Sequence, residues 1–89
     1  MDEALRKELK SLPDAQSAVE RLSEHLSRHP ADAEALYMRG NAYRSLDLWR
    51  LAITDYLAAI ELDPHSPARL AYESAQQVLA FRCNDLYNP

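Results

Sequence analysis

The chain is poor in the residues that build loops, cross-links and nucleotide sites. It contains one glycine and one cysteine in 89 residues. A lone glycine excludes a glycine-rich phosphate loop, whose close backbone approach needs several. A lone cysteine, Cys83, excludes an internal disulfide and has no base near it in sequence, so a packing role is expected. Basic residues are outnumbered, 10 against 14, giving a formal charge of −4 and a pI near 5.2. That balance lacks the cationic stripe a nucleic-acid backbone requires. No apolar run is long enough to span a bilayer, and the opening MDEALRKELK lacks a signal-peptide core. Neither a membrane nor a nucleic-acid partner is expected, and the cytoplasm is the expected compartment.

What is present is helical periodicity. Apolar residues recur at spacings of three and four, and nothing alternates at two as a strand would. Leu5, Leu9 and Leu12 form one stripe over about Glu3 to Leu12, ended by Pro13. Asp14 is a fitting N-cap for a second helix to about Arg28, with Ala15, Ala18, Val19, Leu22 and Leu26 on its stripe. Asp32 caps a third helix, and the turn around Ser45, Leu46 and Asp47 separates it from a fourth. Ser66 as N-cap with Pro67 behind it opens a fifth, extending to about Leu86. The expected fold is all-α, with about five helices and a single domain. A chain this short buries only roughly 60–65% of its unfolded surface, so its stability margin is thin.

Residues 33–66, AEALYMRGNAYRSLDLWRLAITDYLAAIELDPHS, carry the most specific pattern. Leu36, Gly40 and Tyr43 share one face of the third helix, and Ala52, Tyr56 and Ala59 share one face of the fourth. Small residues alternate with large ones, as two closely crossing helices require. Asp63-Pro64 then stops the unit. This pattern resembles the tetratricopeptide repeat, a helix–turn–helix unit of about 34 residues. The resemblance implies antiparallel helix pairs stacked as an α-solenoid that serves as a scaffold for a protein or peptide partner.

The same period extends upstream. Pro30 and Pro64 are 34 residues apart, and the shift aligns Ala18 with Ala52 and Leu22 with Tyr56. Residues 1–32 therefore resemble a degenerate repeat. Arg6 stands in the place of Gly40 and His25 in that of Ala59, so looser packing is expected there. Residues 67–89 resemble the first helix of a further repeat and would cap the stack. Leu70, Ser74, Gln77 and Phe81 lie on the line that a following helix would cover. Because this helix is apolar on more than one side, two fates are open to it. It can fold back over the first two repeats, or it can use Leu70, Phe81 and Tyr87 for self-association as a homodimer or for capture of a partner.

The resemblance also implies a groove on the inner face, lined by the first helix of each repeat. The matching positions are Tyr37, Asn41 and Arg44, flanked by Glu3 and Lys7 before them and Ala71, Ala75 and Val78 after them. Asn41 suits a peptide backbone, as both donor and acceptor, and also suits a structural role within the repeat. Glu3 and Tyr37 stand where a clamp for a terminal carboxylate would need basic or amide groups, so that clamp is not expected. Trp49 is expected to pack over the turn into the fourth helix.

No catalytic constellation is found. His25 and His29 are four apart on one helix, but no third ligand follows in a recognised spacing. No metal, cofactor or enzymatic activity is expected.

Overall fold

The computed structural model describes residues 1–87, with side chains as far as Phe81. Five helices follow one another: α1 (Glu3–Ser11), α2 (Ala15–Arg28), α3 (Ala33–Ser45), α4 (Trp49–Leu62) and α5 (Ala68–Tyr87). Among the described residues there is no strand.

Three aspartates start three helices. Asp2, Asp14 and Asp32 accept the backbone N–H groups of Leu5, Ser17 and Ala35 at 2.9, 2.8 and 3.1 Å. Each satisfies a donor that the first helical turn leaves without a partner. The hydroxyl of Ser66 accepts the Ala68 N–H at 3.1 Å, so α5 begins beside the expected cap. Helix α4 has no side-chain cap. It is positioned instead by the way α3 ends. The N–H of Leu48 returns to the Tyr43 carbonyl at 2.9 Å, and that of Asp47 to the Arg44 carbonyl at 3.0 Å. This paired closure is a Schellman motif, and it places Asp47 in the left-handed region with φ of 64°.

The pair α3–α4 makes the tightest helix contact, and α2–α3 and α4–α5 continue the stack on either side. Its centre is the fully buried ring of Tyr56, which lies against Gly40 between Ala52 and Ala59. Burying a side chain of this size contributes roughly 1.5–3 kcal/mol. Leu22, Leu26, Ala35 and Leu36 extend this core towards α2, and Ala68 and Ala75 extend it towards α5.

Helix α1 comes less close to its neighbours. Leu5 is buried, but Arg6, in the place of Gly40, reaches across to α3 and forms two bonds to Glu34 at 2.6 and 2.8 Å. An ion pair between Glu8 and Arg21 ties α1 to α2. Polar bonds thus replace part of the close packing that α3 and α4 achieve with small residues.

Helix α5 departs from the sequence expectation. Ala71, Ala75 and Val78 were expected to flank the groove, yet Ala75 is fully buried and Ala71 packs against the core. The helix lays this small-residue side on the body of the protein. Leu70 and Phe81 face outward, 73% and 67% exposed. Leu36, one repeat length before Leu70, is only 7% exposed, because α4 covers it. Docking on α4 therefore buries one side of α5 and leaves the other open.

Candidate partner-binding groove

Tyr37 and Asn41 lie one turn apart on α3 and line a cleft of about 480 Å³. Ala33, Glu34 and Met38 complete the α3 wall, and Asp63, Ser66 and Pro67 form the opposite wall from the α4–α5 connection. The cleft exists because the chain turns sharply after α4. The Asp63 N–H closes α4 on Ala59, and the Ser66 N–H bonds back to the Asp63 carbonyl at 3.0 Å.

Asn41 has two faces. Its Oδ1 accepts the hydroxyl of buried Tyr56 at 2.6 Å, which satisfies the one polar atom on that ring. Its Nδ2 makes no hydrogen bond among the described residues and keeps its donors available. The ring of Tyr37 stands tilted against Tyr56, with centroids 6.1 Å apart. Burial raises the Tyr56 phenol above its ordinary value, partly offset by Arg44 nearby.

Arg44 sits farther along α3 and is not part of the cleft lining. Its guanidinium lies over the Trp49 ring, 5.2 Å from the centroid, and donates to the Ser74 hydroxyl at 3.3 Å. Trp49 also bonds the Asp47 carboxylate, so it covers the α3–α4 turn. Glu3 and Lys7 are exposed on α1. Leu70 and Phe81 are exposed on α5, and the side chain of Tyr87 lies outside the described residues.

The polar contacts that brace this wall were not singled out from the sequence. Arg39 grips Asp55 with two bonds of 2.7 and 2.8 Å and donates to Ser23 at 3.1 Å, joining α2, α3 and α4. Hydrogen bonding to Asp55 raises the Arg39 pKa, and Asp55 is only 4% exposed. A signal was available, since both charges fall next to core positions, one residue before Gly40 and one before Tyr56. Glu34 at the cleft rim is held below the usual carboxylate range by its bonds from Arg6.

His25 and His29 lie beside the start of α3. His25 Nε2 lies 2.7 Å from Asp32, and its ring is tilted against His29 at 4.9 Å. Burial alone would raise the Asp32 carboxyl. Bonds from His25, the Ala35 amide and the terminal amine outweigh that and lower it. Among the described residues, no three His, Cys, Asp or Glu groups gather as a metal site would need.

A family model described as tetratricopeptide repeat matches residues 33–66. No curated protein matches the chain significantly. Among solved structures, the Bacteroides fragilis protein BF1650, determined in solution by NMR, is similar at 37% identity with a TM-score of 0.75. The alignment covers 99% of this chain and 91% of that one. With the helix–turn–helix pair closed on Gly40 and Tyr56, these similarities show that the chain belongs to the tetratricopeptide repeat family.

Proposed function

We propose that this protein is a non-catalytic interaction module that takes a peptide or a partner helix in the groove beside Tyr37 and Asn41. The observation that carries the reading is the cleft of about 480 Å³ between α3 and residues 63–67. It combines the flat Tyr37 ring and Met38 with the donor end of Asn41, the mixture that peptide recognition uses. Family membership supports an interaction role, since helical repeats present extended surfaces to partners. Residues 1–32 and 33–66 act as two repeats and 67–89 as their cap, in a cytoplasmic protein.

The test is affinity capture followed by binding with purified partner, comparing wild type with Tyr37→Ala. A partner bound by the wild type and weakened at least several-fold by Tyr37→Ala supports the groove. Equal binding by both proteins counts against it. Asn41→Ala is the poorer probe, because it also strips the Tyr56 hydroxyl of its acceptor.

A second reading is homodimerisation through α5, favoured by Leu70 and Phe81 standing exposed on one face. Light scattering across a concentration series tests it. A dimer converted to monomer by Leu70→Glu with Phe81→Glu is the expected result, and a wild-type monomer at all concentrations sinks it.

A further inference from the structure

The cleft has a charge character that the family resemblance does not supply. Among the described residues no lysine, arginine or histidine lines it, whereas two carboxylates, Glu34 and Asp63, do. Two arginines on the surrounding helices are already engaged, whereas Arg69, two residues past Pro67, is exposed. Arg6 is bound to Glu34 through two hydrogen bonds, and Arg44 is stacked on Trp49 and bonded to Ser74.

The two carboxylates are not equivalent. Glu34 is neutralised by Arg6. Asp63 accepts one bond, from the His65 backbone N–H to Oδ1 at 3.0 Å, and makes no ion pair among the described residues. Its charge stands on the rim, opposite the apolar surface of Tyr37 and Met38 on α3. Asn41 adds N–H donors suited to a peptide carbonyl, since its Oδ1 is held by Tyr56.

We propose that the cleft selects a cationic peptide segment, with a lysine or arginine side chain paired to Asp63 and a neighbouring apolar side chain on Tyr37 and Met38. This rests on the groove reading above and specifies its ligand. An acidic segment would meet the unpaired carboxylate of Asp63 on the rim. The net charge of −4 reinforces the preference at longer range.

Three pools of end-capped octapeptides test it. They share randomised apolar and small residues and differ in one central residue, Lys, Gln or Glu. The Lys pool is expected to bind roughly two- to five-fold better than the Gln pool, the range of an exposed ion pair, and the Glu pool least. Asp63→Asn keeps the acceptor for the His65 amide and is expected to equalise the Lys and Gln pools while both still bind. Glu20→Gln makes the same charge change on an exposed face of α2 and is expected to leave the preference intact. Equal binding of the three pools by wild type overturns the charge selection and leaves the groove standing. So does a Lys preference that survives Asp63→Asn or is abolished equally by Glu20→Gln. If no pool binds, the groove reading fails and this inference fails with it.

Discussion

A β-carbon placed on Gly40 would lie 2.6 Å from Cε1 and 2.8 Å from Cδ1 of Tyr56. The Tyr56 ring is fully buried and its hydroxyl is bonded to Asn41, so it has little room to retreat. Ala in place of Gly normally favours a helix interior by up to about 1 kcal/mol. Here overpacking works against that gain, at roughly 1–3 kcal/mol. Gly40→Ala is expected to lower stability in urea titration. A stabilised variant would mean that the helices separate more cheaply than their packing implies.

Asn41 and Tyr56 form one unit. Asn41→Ala leaves a buried hydroxyl without an acceptor, which costs about 1–3 kcal/mol. In a Tyr56→Phe background the same substitution should cost much less. A double-mutant cycle on thermal or denaturant stability checks this, and additive costs would show that the bond contributes nothing.

Arg39 and Asp55 should be intolerant singly and tolerant together. Removing one partner of a buried ion pair costs about 3–5 kcal/mol, because the other charge stays buried. Arg39→Met, which leaves the buried Asp55 carboxylate without its partner, is therefore expected to unfold much of the protein at ambient temperature. Replacing both by apolar residues, as in Arg39→Met with Asp55→Leu, should recover most of the loss. Circular dichroism during denaturation distinguishes the cases.

Asp47 occupies the left-handed position that ends α3, with φ of 64°. Asn is tolerated in that conformation and keeps an acceptor for Trp49, so Asp47→Asn should change stability by less than about 0.5 kcal/mol. A β-branched residue pays the steric cost in full. Asp47→Val is expected to lose about 1–2 kcal/mol in the same measurement.

Acid should weaken the junction of α1, α2 and α3. The folded pKa values of Asp32 and Glu34 lie below their unfolded ones. Their stabilisation is therefore present above the unfolded carboxylate range of about 4, and is lost as pH falls through the folded values. Melting temperature should drop between about pH 5 and 2, and Asp32→Asn with Glu34→Gln should flatten that drop. An unchanged slope in the double variant would assign acid sensitivity to other carboxylates.

The helices and their ends were legible in the sequence because their causes are local. Asp2, Asp14 and Asp32 reach N–H groups three residues away, and the closure at Asp47 uses carbonyls within one turn. The spacing of Asp14 and Asp32 before apolar stripes carried that information directly. Arg39, Asp55 and Ser23 were not legible as a set, since their bonds span 16 residues and depend on three helix orientations. The opposite wall of the cleft escaped notice for the same reason. Asp63, Ser66 and Pro67 read as a helix stop and a cap, and only the turn after α4 sets them against Tyr37 and Asn41.

By itself, the sequence determined an all-α chain of five helices and the interlocking of α3 with α4. Periodicity, caps and the small residues at Gly40, Ala52 and Ala59 are properties of short segments, and they hold wherever those segments lie. The tertiary structure alone decided which side of α5 is buried. That helix is apolar on more than one side, so its own pattern permits several dockings. Contact with α4 favours the flat side of Ala68 and Ala75, which lets the backbones approach, over the side carrying Leu70 and Phe81. The same docking leaves the open face and shapes the cleft, because both arise from where helices meet and not from any one of them.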